Sequence, residues 1–411
     1  MRACFGLLGG RLAHSLSPQI HEMLCGYAYD LFELPEEQVA PFLEKREFDA
    51  INVTIPYKKN VMPFCTRLSD QAKRIGSVNT IRKEADGTLS GFNTDYFGFS
   101  YLLRRAGIEP EGKKALILGS GGSSVTVNAV LRDAGAREVR VISRTGEDNY
   151  QNLSRHADAD IIVNTTPVGM FPQNGETPLS LDIFEHLEAV ADIVYNPLKT
   201  ALLLDAEARG LRCENGLSML VAQAKAAAEI FLQTPISDTE IERVLDVLTR
   251  QTQNIVLIGM PGCGKSTAAA RLGSLLGREV VDTEKLVEEE SGKTIPAIFA
   301  QEGEEAFRKK ETEAVKKAGK RVGVIIATGG GVVTRPENYA PLRQNGVLVF
   351  LDRPTNELAR FGRPLSAGAS GVETLASARL PLYRAWADHT VKVQDSKEET
   401  ANMILESIDL R

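Results

Sequence analysis

The stretch Gly259-Met260-Pro261-Gly262-Cys263-Gly264-Lys265-Ser266 matches G-x-x-x-x-G-K-[ST] and constrains this 411-residue chain more than any other feature. An apolar β-like run at 255–258 precedes it, and a helical pattern at 266–276 ending at Gly277 follows it. A strand–loop–helix turn of this kind belongs to an α/β fold with a parallel sheet. Gly262 and Gly264 let backbone N–H groups wrap phosphates, and Lys265 sets a positive charge on the transferred phosphoryl group. Ser266 offers a hydroxyl to Mg²⁺, with Thr267 beside it among the expected nucleotide contacts. Asp282, which ends the next β-like run Glu279-Val280-Val281-Asp282, is the expected carboxylate on that metal; an ordinary turn aspartate is the other reading.

A second glycine-rich loop lies about 140 residues upstream, which implies two separate nucleotide sites. Lys114-Ala115-Leu116-Ile117-Leu118 runs into Gly119-Ser120-Gly121-Gly122-Ser123-Ser124, then a helical stretch to Gly135 and another β-like run at 139–142. This reads as a β-loop-α-β dinucleotide unit with glycines at Gly119, Gly121 and Gly122 and with Ser124 where a third Gly or Ala is usual; a plain glycine-rich turn is the alternative. The second strand ends in Ser143-Arg144-Thr145 rather than in an acid. A guanidinium suits the 2′-phosphate of NADP(H), where a carboxylate would repel it; a solvated strand-end charge is the alternative.

Short β-rich runs alternate with helical patterns along the whole chain, and 43% hydrophobic residues suffice for packed cores. The length suggests two or three domains. The boundary is expected near 249–253, a polar stretch after a helix that opens on Ser237-Asp238-Thr239-Glu240 with Ile241, Val244, Leu245 and Leu248 on one face. The formal net charge is −6, and neither half is strongly basic, so nucleic acid is not an expected partner. The five cysteines form no C-x-x-C pair or zinc-like cluster, the N-terminus does not read as a signal peptide, and no apolar run reaches membrane-spanning length. A cytoplasmic protein without a membrane partner is expected. The oligomeric state is not legible.

Several polar residues occupy unusual settings. His14-Ser15-Leu16-Ser17-Pro18 reads equally as a ligand site or as a helix start with proline in its first turn. Asn52-Val53-Thr54-Ile55-Pro56-Tyr57-Lys58 sets a lysine just past an apolar strand, and Gly91-Phe92-Asn93-Thr94-Asp95 does the same for an aspartate. A reductase needs a proton donor beside the carbonyl that takes hydride, and a Lys58–Asp95 pair within hydrogen-bond reach supplies one; a surface lysine is the plain alternative. Further on, Arg308 and Glu311 stand three apart on a helical pattern, where spacing alone favours a surface ion pair. Gly329-Gly330-Gly331 follows a strand and offers bare backbone to a ligand or makes a simple turn.

Together, the stretches of residues 1–250 resemble shikimate dehydrogenase. The Ser-x-Ser site, Asn-Val-Thr-x-Pro-x-Lys, Val78-Asn79-Thr80, Asn-Thr-Asp, the glycine loop, Ser-Arg-Thr, Asn164-Thr165-Thr166-Pro167-Val168-Gly169-Met170 and Gly216-Leu217-Ser218-Met219-Leu220 stand in family order. The resemblance implies a two-lobed enzyme, with a substrate lobe at about 1–107 and 216–250 and a Rossmann-type NADP lobe at about 108–215. It makes Lys58 and Asp95 the catalytic pair, gives Ser15, Ser17, Thr54, Asn79, Asn93 and Gln223 to the substrate, and gives Ser143, Arg144 and Thr145 with the loop glycines to the cofactor. Residues 251–411 resemble shikimate kinase, with its phosphate loop, the Gly-Glu-x-x-Phe-Arg-x-x-Glu helix, the triple glycine, Arg363-Pro364-Leu365 in a helical lid, and Arg379-x-Pro-Leu-Tyr. This resemblance implies that Arg308, Arg379, Gly330 and Gly331 hold shikimate, and that Glu284, where the family usually has aspartate, faces a substrate hydroxyl. Arg363 would stabilise the phosphoryl charge. The implied activities are NADPH-dependent reduction of 3-dehydroshikimate and MgATP-dependent phosphorylation of shikimate. Quinate, another hydroxylated acceptor, or a sensor built from decayed enzyme modules are the alternatives.

Overall fold

β-branched and leucine side chains in runs of two to seven residues build three sheets. In the strand Lys114–Leu118, Ala115 and Ile117 enter one apolar cluster while Leu116 and Leu118 enter another on the opposite face. Helices cover both faces of such a sheet, so its strands read as continuous apolar runs rather than alternating ones. The computed structural model describes residues 3–13, 15–358 and 369–409. Arg363 and the rest of the expected lid at 359–363 lie outside these, as does His14.

Two compact units result. The first comprises Met1–Met170, Glu176–Asn196 and Leu202–Val247, and the second Phe171–Gly175, Pro197–Ala201 and Leu248–Arg411. The first unit holds two sheets. One contains β1 (Phe5–Gly9), β2 (Tyr29–Glu33), β3 (Ala50–Val53), β4 (Arg67–Leu68), β5 (Thr80–Lys83) and β6 (Leu89–Phe92) in the order β2-β1-β3-β5-β6-β4. Only β5 runs against its neighbours; β1 and β3 pair in parallel with Phe5 opposite Ala50. The other, fully parallel sheet contains β7 (Lys114–Leu118), β8 (Glu138–Ile142), β9 (Ile161–Asn164), β10 (Ala189–Asp192) and β11 (Arg212–Glu214) in the order β11-β10-β9-β7-β8. The helices Asp95–Arg105 and Gly216–Leu232 pack together, with Gly98 so close to the Met219 carbonyl that a side chain there would collide.

The second unit has one parallel sheet made of β12 (Asn254–Ile258), β13 (Val280–Asp282), β14 (Ile325–Ala327), β15 (Gly346–Asp352) and β16 (His389–Lys392), ordered β13-β14-β12-β15-β16. The polar stretch at 249–253 lies mostly within the helix it was expected to follow. Thr249–Thr252 continue the helix Thr239–Thr252, the Thr252 hydroxyl donates to the Leu248 carbonyl at 2.8 Å, and β12 begins two residues later. The polar side chains lie on the last turn of an amphipathic helix whose other face carries the buried Ile241, Val244, Leu245 and Leu248. Among the described residues no helix is long and apolar enough to cross a membrane.

His21, on the helix Ser17–Cys25, is fully buried and stacks on Tyr29 with ring centroids 4.2 Å apart. Its Nδ1 lies 2.6 Å from the Tyr27 hydroxyl. Burial lowers its pKa from 6.5 to about 3. A depressed pKa stabilises the fold fully above about pH 6.5, and that contribution is lost as pH falls toward 3, because only the unfolded chain takes up the proton. Urea denaturation at pH 6.5 and 4.5 should therefore show the wild type losing up to about 2 kcal/mol more than His21→Gln across that interval. Parallel losses would mean that His21 is not held neutral.

Candidate active sites

A cavity of about 710 Å³ in the first unit collects most of the residues expected to bind substrate: Ser15, Ser17, Thr54, Lys58, Asn79, Asp95 and Gln223 all line it. Lys58 follows β3 and is held by the Val78 N–H bonded to its carbonyl at 2.8 Å; Asp95 follows β6 and starts its helix. The Lys58 Nζ donates to Asp95 Oδ2 at 2.6 Å, with side-chain exposures of only 17% and 10%. Lys58 is thus no surface lysine. Asn79 fixes the turn before Asp95, since its Oδ1 accepts the Thr94 N–H at 2.7 Å and its Nδ2 donates to the Thr94 hydroxyl at 3.0 Å. At the start of the helix Ser17–Cys25, Pro18 occupies the first turn and the Ser15 hydroxyl accepts the Ser17 N–H at 3.2 Å, while both serines line the cavity.

Asn93 is not brought to this cavity. Its Nδ2 donates to the Ser77 carbonyl at 3.0 Å and its Oδ1 accepts the Tyr96 N–H at 3.2 Å, so both ends of the amide serve the turn. Ser218 likewise faces its own helix, donating to the Asn215 carbonyl. Sequence reasoning missed Asn52, Tyr195 and Arg11, which line the cavity. Asn52 accepts the Tyr29 hydroxyl at 2.7 Å and donates to Thr80 Oγ1 at 3.0 Å; a lone amide inside the apolar run Ile51-Asn52-Val53 was its signal. Tyr195, whose hydroxyl pKa is raised by burial, stands just past β10 before a proline.

The dinucleotide loop lies at the end of β7. Gly119 has φ of 99°, and Gly121 and Gly122 begin a twelve-residue helix, Gly122–Asp133, with open space where side chains would stand. Ser124, in the third-glycine position, turns its hydroxyl back to the Gly121 carbonyl at 2.6 Å and so leaves the loop face clear. Past β8, the Ser143 N–H is bonded to the Asp148 carbonyl, while Arg144 and Thr145 are exposed; among the described residues Arg144 has no ion-pair partner.

In the second unit, Gly262 and Gly264 have φ of 86° and 103°, and Lys265, 7% exposed, folds its ammonium onto the carbonyls of Gly259 and Met260 at 2.8 and 3.0 Å. Ser266 and Thr267 are exposed at the helix start. The Ser266 hydroxyl donates to Asp282 Oδ2 at 2.8 Å, while Asp282 Oδ1 caps the helix Thr283–Ser291 by accepting the N–H groups of Glu284 and Lys285. One carboxylate oxygen thus orders the helix and the other faces the phosphate loop. Arg379 Nη1 and the Tyr383 hydroxyl both donate to the Gly330 carbonyl, the former at 3.0 Å. A side chain on Gly331 would collide with the Arg308 guanidinium, one on Gly330 with Pro261, and the Glu284 carboxylate lies beside Gly329. The surface reading of Arg308 and Glu311 is overturned. Their ion pair, 2.6 Å long, has side-chain exposures of 7% and 1%, and burial raises the Glu311 pKa even against Arg308.

Comparison with known proteins agrees with both halves. The family described as shikimate dehydrogenase substrate binding domain matches residues 7–81, and that described as shikimate kinase matches 261–409. A shikimate dehydrogenase (NADP(+)) from Clostridium beijerinckii is 37% identical over 57% of this chain and 93% of its own length. Among solved structures, a chorismate mutase/shikimate 5-dehydrogenase fusion protein from Clostridium acetobutylicum aligns with a TM-score of 0.58 at 35% identity, covering 60% of this chain and 97% of that one. A shikimate 5-dehydrogenase from Thermus thermophilus in complex with NADP(H) and shikimate aligns with a TM-score of 0.54 at 33% identity, over 60% and 99%. The chain belongs to the shikimate dehydrogenase family and carries a shikimate kinase domain after it, which makes it a bifunctional shikimate-pathway enzyme.

Proposed function

We propose that Lys58 and Asp95 carry the reduction of 3-dehydroshikimate, and that the site built on Lys265, Ser266, Asp282, Arg308 and Arg379 phosphorylates shikimate. The observation that carries the first assignment is the 2.6 Å Lys58–Asp95 pair inside the cavity. Lys58 is placed to give a proton to the carbonyl oxygen as it becomes an alcohol, and Asp95 aims the ammonium and balances its charge. The serine hydroxyls, Thr54, Asn79 and Gln223 offer neutral donors and acceptors to a polyhydroxylated acid.

The residues fit the cofactors on their own geometry. The open backbone at Gly121 and Gly122, at a helix N-terminus, suits a pyrophosphate, and Arg144, exposed beside Thr145 and without an ion-pair partner among the described residues, suits a 2′-phosphate. The Ser266 hydroxyl and Asp282 carboxylate give the two hard oxygens that Mg²⁺ takes from protein, alongside phosphates and water. When bound, NADPH supplies hydride, and MgATP the phosphoryl group. Lys265 then holds charge on the phosphates, while Arg308 and Arg379 present guanidinium forks to a carboxylate. Glu311 aims Arg308, and Arg363 is the proposed lid residue. We further propose a division near residue 250 and a cytoplasmic location, where five free thiols persist.

Lys58→Ala should lower dehydrogenase kcat about 10³-fold and leave the KM for NADPH within about twofold; near-normal turnover removes Lys58 from the reaction. Arg144→Ala should raise the KM for NADPH about tenfold while kcat/KM with NADH stays within about twofold; equal losses with both cofactors would make Arg144 structural. Lys265→Ala should cut ADP release with shikimate by about 10²-fold or more and spare NADPH oxidation. A matching dehydrogenase loss in folded protein would show that the two activities are not separable.

A further inference from the structure

The cavity around Lys58 contains four charged side chains: Arg11, Glu33, Lys58 and Asp95. Two of them neutralise each other in the Lys58–Asp95 ion pair. Glu33 is committed to the loop backbone, because its Oε2 accepts the Leu12 N–H at 2.7 Å. Arg11 is different. It is exposed and, among the described residues, has no ion-pair partner, yet its backbone is pinned on both sides. Gly10 N–H reaches the Ile55 carbonyl at 3.3 Å, Leu12 is buried at 3% exposure, and the Ser15 N–H returns to the Leu12 carbonyl at 3.0 Å. The loop that carries the serine hydroxyls therefore also holds a guanidinium that has no ion-pair partner among the described residues, in the wall of a cavity that the Glu33 carboxylate lines too.

Hydroxyls alone would leave a bound carboxylate's charge unbalanced as water is excluded, and this is costly. We propose that Arg11 is the cation that recognises the substrate carboxylate in the dehydrogenase site, drawing it in and selecting an anionic acid over its neutral analogue. This rests on the reading of the cavity as the 3-dehydroshikimate site. A guanidinium within a Debye length of the carboxylate acts most strongly at low ionic strength and weakens as salt rises.

The test compares wild type, Arg11→Gln and Arg11→Lys in NADPH oxidation with 3-dehydroshikimate from about 20 to 500 mM NaCl, a range that spans strong and weak screening. The wild-type rate itself reports on the underlying reading, independently of the variants. Arg11→Gln should raise the KM for 3-dehydroshikimate about tenfold at low salt, keep kcat within about twofold and the NADPH KM unchanged, and flatten the salt dependence of kcat/KM; Arg11→Lys should restore most of the affinity. With no partner to lose, Arg11→Gln should melt with the wild type. An unaltered KM with the wild-type salt slope, or a rise in the NADPH KM as large as that for 3-dehydroshikimate, would overturn the proposal.

Discussion

Strands that run parallel end on the same edge of their sheet, and the loops that carry most of the functional groups in this protein depend on that constraint. In the first sheet, β1, β3 and β6 point the same way because β5 alone is antiparallel to β3 and β6. The residues that follow them, Arg11, Ser15 and Ser17, Thr54 to Lys58, and Asp95, therefore emerge together, and Asn79 joins them because it precedes the reversed β5. In the second sheet the ends of β7, β8 and β10 deliver Gly119, Arg144 and Tyr195, and in the third those of β12, β13 and β14 deliver the phosphate loop, Asp282 and the triple glycine. Ligand crevices in open α/β sheets lie at such carboxyl edges because loops there vary without disturbing the apolar body of the sheet.

What makes these loops precise is a layer of buried amides just beneath them. Asn52 ties Tyr29 on β2 to Thr80 on β5, and Asn79 closes the turn before Asp95. In the second sheet Asn164 donates to Asp192 at 3.0 Å, while its own carbonyl oxygen accepts the N–H and hydroxyl of Thr166. Each such bond contributes only about 1 kcal/mol net, but a buried amide left unpaired costs more, so alternative loop conformations are penalised. Satisfied polarity thus adds rigidity at the strand ends to the packing of buried apolar loop residues such as Leu12.

The α/β architecture and the phosphate loop were legible in the sequence because each depends on residues adjacent in the chain or on a strong strand-to-loop signal, whereas the Lys58–Asp95 pair, 37 residues apart, was assigned only by the family resemblance and was met by the fold. The role of Asn93 was not. Asn-Thr-Asp offers two polar side chains next to the aspartate, and only the fold shows Asn93 spent on Ser77 and Tyr96 while Thr94 contacts Asn79. Tyr195 and Arg11 were missed for a related reason. A tyrosine or an arginine beside a strand end is common on surfaces, and its meaning comes from what distant segments place opposite it. The stretch at 249–253 was expected to follow a helix and instead mostly ends it, because polarity marks both loops and the exposed face of a helix end, and composition does not separate the two.

The helix Ile295–Gly319 shows how far spacing alone can carry an inference. Arg308–Glu311 and Glu313–Lys316 are both pairs three residues apart on this helix, with ion-pair distances of 2.6 and 2.8 Å. The second has side-chain exposures of 60% and 49%, so solvent screening leaves it worth little. The first is buried. There the unpaired charge of either partner would be expensive, and Glu311 keeps a second oxygen without a hydrogen bond among the described residues. Five residues of offset turn the face of a helix through about 140° net, enough to move an ion pair from the interior to solvent. A motif that names Arg and Glu three apart therefore states that they can meet, and the helix face they share decides whether the meeting is incidental or builds a site.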